Sequence, residues 1–159
     1  MTLRRPLRFE RLDQVMPEVE RLLEGHSTVG KWSLGQICNH LEMAVRKSVE
    51  GYDERAPWPV RKLIGPIMRW RLFKTGRMPE GIKLPERFLP KPGLDARDEA
   101  ERLRSALALF ATNTGSLAVH PIFDRISRED WERLHRIHCA HHLSFALPNG
   151  DAGTEPRTR

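Results

Sequence analysis

A run of histidines near the end of the chain is the feature whose chemistry can be read most directly from the sequence. Four of the seven histidines lie between His135 and His142. On an α-helix, His138 and His142 are one turn apart and about 40° apart around the axis, so both imidazoles can reach one metal ion. Histidines at this spacing also occur as buried, hydrogen-bonded structural residues, and the spacing alone leaves both interpretations open.

A third ligand must come from elsewhere, because two imidazoles alone make a weak metal site. His26, His40 and His120 are the histidines outside that run. His40 is predicted to lie about 9 Å into its helix, a depth that matches His138 and His142 if the two helices are antiparallel. Against this, His40 is predicted to lie beside the apolar face of its helix, as a surface histidine would. A triad of His40, His138 and His142 is therefore a hypothesis at this point.

Two helical patterns in the first third of the chain position His40. An apolar stripe over residues 12–24 predicts the first helix. Ser33 and Gln36 form a capping-box pattern, which predicts that a second helix begins there and carries His40. Residues 25–31, between the two helices, are predicted to form a loop.

Two further helices are predicted in the last third of the chain. Asp95 precedes the third, and Ser127 opens the histidine helix, which is predicted to run to about Phe145. Its predicted core-facing stripe has helical spacing and consists of Trp131, Leu134, His138, His142 and Phe145. Strand-like alternation is absent at any useful length. The fold class is therefore all-α, and a four-helix bundle is the economical solution.

Positive charge is concentrated in a basic segment, residues 55–77, between the second and third predicted helices. It contains seven Lys or Arg and no Asp or Glu, in a chain of net charge +6. Such a segment can attract nucleic acid, anionic lipid or an acidic substrate, although a solvated surface is the simpler interpretation. No nucleic-acid motif accompanies it, so no nucleic-acid partner is expected. Residues 51–94 form a basic, Pro-rich insertion, within which a short basic amphipathic helix is predicted from Leu63, Ile64, Ile67, Met68 and Trp70. The insertion is expected to cap the bundle, cover a site or touch a membrane, with capping preferred.

Length and composition predict one domain over residues 1–147 and a polar, disordered tail over residues 148–159. No apolar run is long enough for a transmembrane helix, and the N-terminus lacks the apolar core of a signal peptide. Cys38 and Cys139 form no Cys-x-x-Cys pair. A cytoplasmic protein with a small-molecule substrate is therefore expected, and a homodimer is left open.

Two motifs resemble those of the DinB-like superfamily of metalloenzymes. Residues 32–41, Trp-Ser-Leu-Gly-Gln-Ile-Cys-Asn-His-Leu, look like its second-helix motif, and residues 138–142, His-Cys-Ala-His-His, look like its fourth-helix His-x-x-His-His. Residues 120–143 look like one DinB-related subfamily of unknown function. The resemblance spans roughly residues 10–147. It implies a four-helix bundle with an up-up-down-down path and a divalent ion held by three histidines, which would be His40, His138 and His142.

A three-histidine site with open positions supports two kinds of chemistry. The ion can lower the pKa of bound water for a hydrolase, or hold a thiol as its thiolate. Related bundles include thiol transferases, so the resemblance implies transfer of a low-molecular-weight thiol to a small electrophile. Zn²⁺ is the expected ion, and Ni²⁺, Fe²⁺ and Mn²⁺ are also compatible with the ligands.

The sequence differs from the family pattern at one position near the site, and this difference leaves a second function open. Relatives often carry Gln three residues after the last ligand, where this chain has Phe145. The alternative is a non-catalytic bundle that binds metal structurally or not at all, with the basic segment serving a partner. His135, His120 and Gln36 are candidates for orienting the ligands, although packing is the simpler role for both histidines.

Overall fold

The computed structural model describes residues 4–79, 86 and 89–149, which form a mostly helical structure. It contains five α-helices and one small sheet, in the order α1 (Val15–Glu24), β1 (His26–Thr28), α2 (Leu34–Glu50), α3 (Gly65–Thr75), α4 (Ala96–Thr112), α5 (Arg128–Leu143) and β2 (Ala146–Pro148). A 3-10 turn, Leu12–Gln14, leads into α1, and a π-helical turn, Val60–Ile64, leads into α3. The helical class predicted from the sequence is confirmed.

The start of α2 is fixed by its cap and by a close approach to the residues before α4. Gln36 N donates to Ser33 Oγ at 3.3 Å, and Ser33 N donates to Gln36 Oε1 at 3.0 Å, which confirms the predicted capping box. A Cβ on Gly35 would lie 2.4 Å from Leu94 O, so only glycine fits there without movement of the backbone. Helix α2 packs most extensively against α4 and next against α5.

The core consists of two apolar clusters, which hold these helices together by burial of apolar surface. The first joins α1, α2, α4 and α5 through side chains such as Val19, Ile37, Leu103 and Leu143. The second surrounds Trp131 and also takes Leu72 from α3. One side of α3 is therefore buried against the rest of the protein. The residues before α3 are also held in place, by a hydrogen bond from Ala56 N to Pro121 O (2.9 Å).

Two predictions about the ends of the fold are wrong: the loop over residues 25–31 and the start of the tail at residue 148. Residues 25–31, predicted as a loop, include β1, which pairs antiparallel with β2 so that His26 lies opposite Pro148. Strands of three residues are too short to show alternation, and their pairing joins residues far apart in sequence. Pro148 therefore belongs to the sheet, and Asn149 N donates to Gly25 O at 2.8 Å. The rest of the tail predicted to be disordered lies outside the described residues.

The histidine helix, α5, differs from its prediction in length and in its buried face. It ends at Leu143, before Phe145. Its most buried side chains include Trp131, His135 and Cys139, whereas His138 and His142 are half-buried at the edge of that face. The buried face is turned because α5 contacts α1 and the 3-10 turn as well as α2.

The short basic helix predicted within residues 51–94 is present as α3. Part of the Pro-rich stretch that follows it lies outside the described residues, so its predicted capping role stays a prediction. No helix in the described ranges is both long and apolar enough to cross a membrane.

Candidate metal centre

The three histidines predicted as ligands come together between α2 and α5. Each offers one ring nitrogen, and these atoms all lie within 4.8 Å of one another. His40 Nε2 lies 3.2 Å from His138 Nε2. The ring of His142 completes the cluster, with its centroid 4.6 Å from that of His40 and 4.7 Å from that of His138. His40, expected as a surface histidine if judged on its own helix, is buried because α5 covers it.

The spacing of the nitrogens suits ligands of one small ion. Two imidazole nitrogens at about 2.0–2.1 Å from a tetrahedral Zn²⁺ lie about 3.3 Å apart. The separation of 3.2 Å between His40 Nε2 and His138 Nε2 is close to that value. Three nitrogen donors without a carboxylate among them are the set that borderline divalent ions such as Zn²⁺ accept. One pair of nitrogens therefore has the spacing of two ligands of one ion, and all three lie close enough to hold a metal ion.

Burial keeps the imidazoles of α5 in the form that binds metal. Burial lowers the pKa of His138 well below its usual value, and the neighbouring His142 and His40 add to the effect. The pKa of His142 falls to about 2, again mainly through burial and next through His40. Both rings are therefore neutral at physiological pH, and a neutral ring has a nitrogen lone pair to donate.

Trp32 forms one wall of this cluster, a role that the sequence did not predict. Its ring stacks on His142, with centroids 5.3 Å apart and planes 16° apart, and is tilted against His40 at 5.0 Å. The capping box at Ser33 fixes the direction in which the chain enters α2 and so places Trp32 over the rings. The sequence signal for this contact is an aromatic residue directly before the N-cap of the helix that carries His40.

The three residues predicted to orient the ligands form their hydrogen bonds elsewhere. His135 Nε2 lies 2.9 Å from Ser48 Oγ, and Ser48 Oγ donates to Val45 O, so His135 is the donor. His120 Nδ1 accepts the backbone N–H groups two and three residues later, at 3.1 and 2.9 Å. Gln36 caps α2. None of the hydrogen bonds described for these residues reaches the triad, so packing and capping account for all three.

The residues that follow the last histidine bring no polar group to the cluster. Ser144 Oγ donates to His141 O at 2.6 Å, within its own turn. The ring of Phe145 contacts the ring of His141, with centroids 5.6 Å apart. His141 lies beside the cluster, with its ring centroid 4.8 Å from that of His142 and its Nδ1 3.2 Å from Arg4 Nη1.

The two cysteines are buried and free. Burial raises the pKa of Cys38 and that of Cys139 to about 12. Both thiols are therefore protonated and hydrophobic in character, and neither is a nucleophile at physiological pH.

Comparison with known proteins identifies the family of this chain but not an activity. Residues 1–149, which include all five helices and both strands, match the family model described as "Protein of unknown function (DUF1569)". The chain belongs to the DUF1569 family. No curated protein and no solved structure matches the chain. Membership of DUF1569 therefore leaves the function to be inferred from the site.

Proposed function

We propose that His40, His138 and His142 hold one divalent metal ion and that the chain is a metal-dependent enzyme. The observation that carries this proposal is the placement of three ring nitrogens within 4.8 Å of one another. Zn²⁺ is the ion that best matches three imidazoles, and Ni²⁺, Fe²⁺ or Mn²⁺ can occupy the same donors.

The resemblance to DinB-like metalloenzymes supports a specific architecture around this site. In this proposal α1, α2, α4 and α5 are the four helices of an up-up-down-down bundle. Helix α3 belongs to the basic, Pro-rich insertion between the second and third of them, and residues 1–147, extended by Pro148 of the sheet, make one domain. The two capping patterns and the meeting of α2 with α5 at the histidines are what this architecture needs.

Each residue of the site has a defined part in the proposed chemistry. The bound ion would supply open positions for a thiol, which it would hold as the thiolate. The three imidazoles would bind the ion, and burial keeps protons off His138 and His142. Trp32 holds the rings of His40 and His142 in place and excludes water from that side. The leading reaction is transfer of a low-molecular-weight thiol to a small electrophile, with metal-assisted hydrolysis as the other enzymatic possibility.

A non-catalytic metal site is the second candidate, and one observation favours it. Phe145 occupies the position at which relatives often carry Gln, and the hydroxyl of Ser144 is engaged with its own turn. A site without an added polar group suits a structural ion better than a substrate. In this alternative the ion joins α2 to α5, and the basic segment serves a partner.

Activity assays on reconstituted protein separate the two candidates. The protein, freed of any His-tag, is loaded with Zn²⁺, Ni²⁺, Fe²⁺ or Mn²⁺ and assayed with several low-molecular-weight thiols and small electrophiles. We expect turnover with at least one combination, and loss of turnover in His138→Ala, because removal of one ligand in three disables the ion. The matched control His26→Ala removes a histidine outside the triad and should retain activity. Metal binding without turnover in any combination would favour the structural ion, and turnover that survives His138→Ala would contradict the proposed site.

A further inference from the structure

One side of the basic segment exposes large apolar side chains. Six such side chains are exposed in the described part of the chain, and five of them lie between residues 58 and 70. They are between 49% and 66% exposed and consist of Trp58, Leu63, Ile64, Ile67 and Trp70. Single exposed apolar residues are ordinary on protein surfaces, but a cluster of this kind marks a surface that binds something.

Helix α3 is held so that this apolar cluster points outward. Leu72, on the opposite side of the helix, is only 3% exposed and belongs to the second core cluster. A Cβ on Gly65 would lie 2.5 Å from Ile122 O, so the inner side of α3 is pressed against the loop before α5. Ile67, Trp70 and Lys74 follow one another at helical spacing on the outer side. The exposed face is therefore a fixed feature of the fold.

The segment that carries this face is strongly basic. Residues 55–77 contain seven Lys or Arg and no acid. Arg61 and Lys62 both pair with Asp124, which anchors the segment, and Lys62 Nζ lies 2.7 Å from Asp124 Oδ2. Lys74 Nζ lies 4.6 Å from the centre of the Trp70 ring, so a cation and a large aromatic ring lie side by side on the outer face.

A basic cleft of about 800 Å³ adjoins this face. Its lining includes Lys74 and Arg77 from the basic segment and Arg133 and Arg136 from α5, and none of the described residues that line it is Asp or Glu. A cleft lined by these cations and by no described acid suits an anionic group, and it shares Lys74 with the exposed face.

Charge complementarity decides which partner fits this surface. A symmetric dimer through the face would bring two identical basic segments together, and like charges across an interface oppose association. Nucleic acid would use the cations but gives no role to Leu63, Ile64 and Ile67. An anionic lipid surface uses both features, because aliphatic side chains and Trp enter the interfacial region while Lys and Arg meet the headgroups.

We propose that the outer face of α3 and its preceding turn docks the protein onto membranes that contain anionic lipids. Leu63, Ile67 and Trp70 would enter the headgroup region, and Lys74 with the adjoining cleft would bind lipid phosphates. The helix would lie along the surface, since no described helix can span a bilayer. The inference is independent of the metal site, because it uses none of the three histidines.

Co-sedimentation with lipid vesicles tests this inference on the full chain. One set of vesicles contains phosphatidylcholine alone, and the other contains phosphatidylcholine with phosphatidylserine. We expect binding to the phosphatidylserine vesicles, weaker binding as salt is raised, and little binding to phosphatidylcholine alone. Equal binding to both kinds of vesicle, or to neither, would overturn the proposal.

Two double variants test the apolar and the charged contributions. Ile67→Asp with Trp70→Asp should weaken binding by about tenfold or more, since it removes apolar anchors and adds acid. Arg71→Gln with Lys74→Gln should also weaken binding, whereas Lys91→Gln with Arg97→Gln removes the same charges outside the segment and should leave binding unchanged. All six side chains are exposed, so each variant should keep the thermal unfolding temperature of the parent.

Light scattering of the parent protein and the Ile67→Asp, Trp70→Asp variant distinguishes a second copy of the chain as the partner. We expect the same mass for both proteins at every concentration. A concentration-dependent dimer that disappears in the variant, together with absence of vesicle binding, would show that the face binds a second copy and would overturn the membrane proposal.

Discussion

Buried neutral histidines outside the triad make the stability of the fold depend on pH. Burial lowers the pKa of His120 to about 4 and that of His135 to about 3, whereas an unfolded histidine titrates near 6.5. The unfolded chain therefore binds more protons than the folded chain between these values. The stabilisation is complete above about pH 6.5 and is lost as pH falls toward about 4, with a slope of up to about 1.4 kcal/mol per pH unit for each group.

His120→Asn tests this pH dependence with little change of structure. The amide oxygen of Asn can accept the backbone N–H groups of Ile122 and Phe123 in place of His120 Nδ1, but it does not titrate. Denaturant titrations between pH 7 and about 4 should give a flatter pH dependence for the variant, by about one proton. Identical slopes for parent and variant would mean that His120 does not stay neutral in the folded state.

Trp32 is predicted to support the metal ligands by holding their rings. Trp32→Ala removes the ring that stacks on His142 and contacts His40, so both ligands become free to turn. We expect metal affinity to fall by about tenfold, which is typical of groups that orient ligands, as measured by competition with a chelator. Trp58→Ala, which removes an exposed Trp, is the control and should leave the affinity unchanged. An equal change of metal affinity in the two variants would show that Trp32 does not hold the ligands in place.

At the residue scale, the sequence predicted the cluster but not its surroundings. The i, i+4 spacing of His138 and His142 is a local property, and it survives in the structure. The burial of His40 could not be read from its own helix, because that burial is provided by α5. The contacts of Trp32 depend on the direction in which the chain enters α2, which no periodicity encodes.

The approach of α2 to the residues before α4 is predicted to depend on Gly35. Gly35→Ala would place a Cβ 2.4 Å from Leu94 O, a backbone atom that cannot move alone. We expect a loss of about 1–3 kcal/mol in the free energy of unfolding, from denaturant titration. Gly115→Ala meets only the side chain of Asn113, at 3.3 Å, and serves as the matched control with little effect. A Gly35→Ala variant as stable as the control would show that the two elements do not pack this closely.

At the scale of elements, the helices with strong caps or stripes were predictable and the short or paired elements were not. Ser33 and Asp95 cap α2 and α4 as their positions indicated. The strands β1 and β2 are three residues long, and each exists only because the other pairs with it. Helix α3 was predicted as basic and amphipathic, but the side it buries is decided by Gly65 and Leu72, whose partners lie far along the chain.

At the scale of the whole molecule, the charge is divided unevenly. Seven of the 27 Lys and Arg lie in residues 55–77, and the other 20 are balanced by 21 Asp and Glu. The histidine triad lies between α2 and α5, whereas the basic face lies around α3 and its adjoining cleft, whose lining includes none of the triad. The protein therefore has two distinct surfaces with different chemistry.

Metal binding is predicted to stabilise the entire fold, because the ligands join α2 to α5 across the core. An ion that binds only the folded chain adds about 2.7 kcal/mol at a free concentration of 100 times its Kd. Calorimetry should show a rise in Tm when Zn²⁺ is added to the parent and no rise for His40→Ala. A similar rise in both proteins would place the stabilising ion somewhere other than the triad.

The metal content of protein purified without a His-tag or added metal is the measurement that bears most directly on the proposed site. Elemental analysis should find close to one divalent ion per chain in the parent, and loss of that ion in His40→Ala, His138→Ala and His142→Ala. His26→Ala should retain it. A parent protein that holds no ion, even after incubation with Zn²⁺ and gel filtration, or three triad variants that keep the metal content of the parent, would contradict the site.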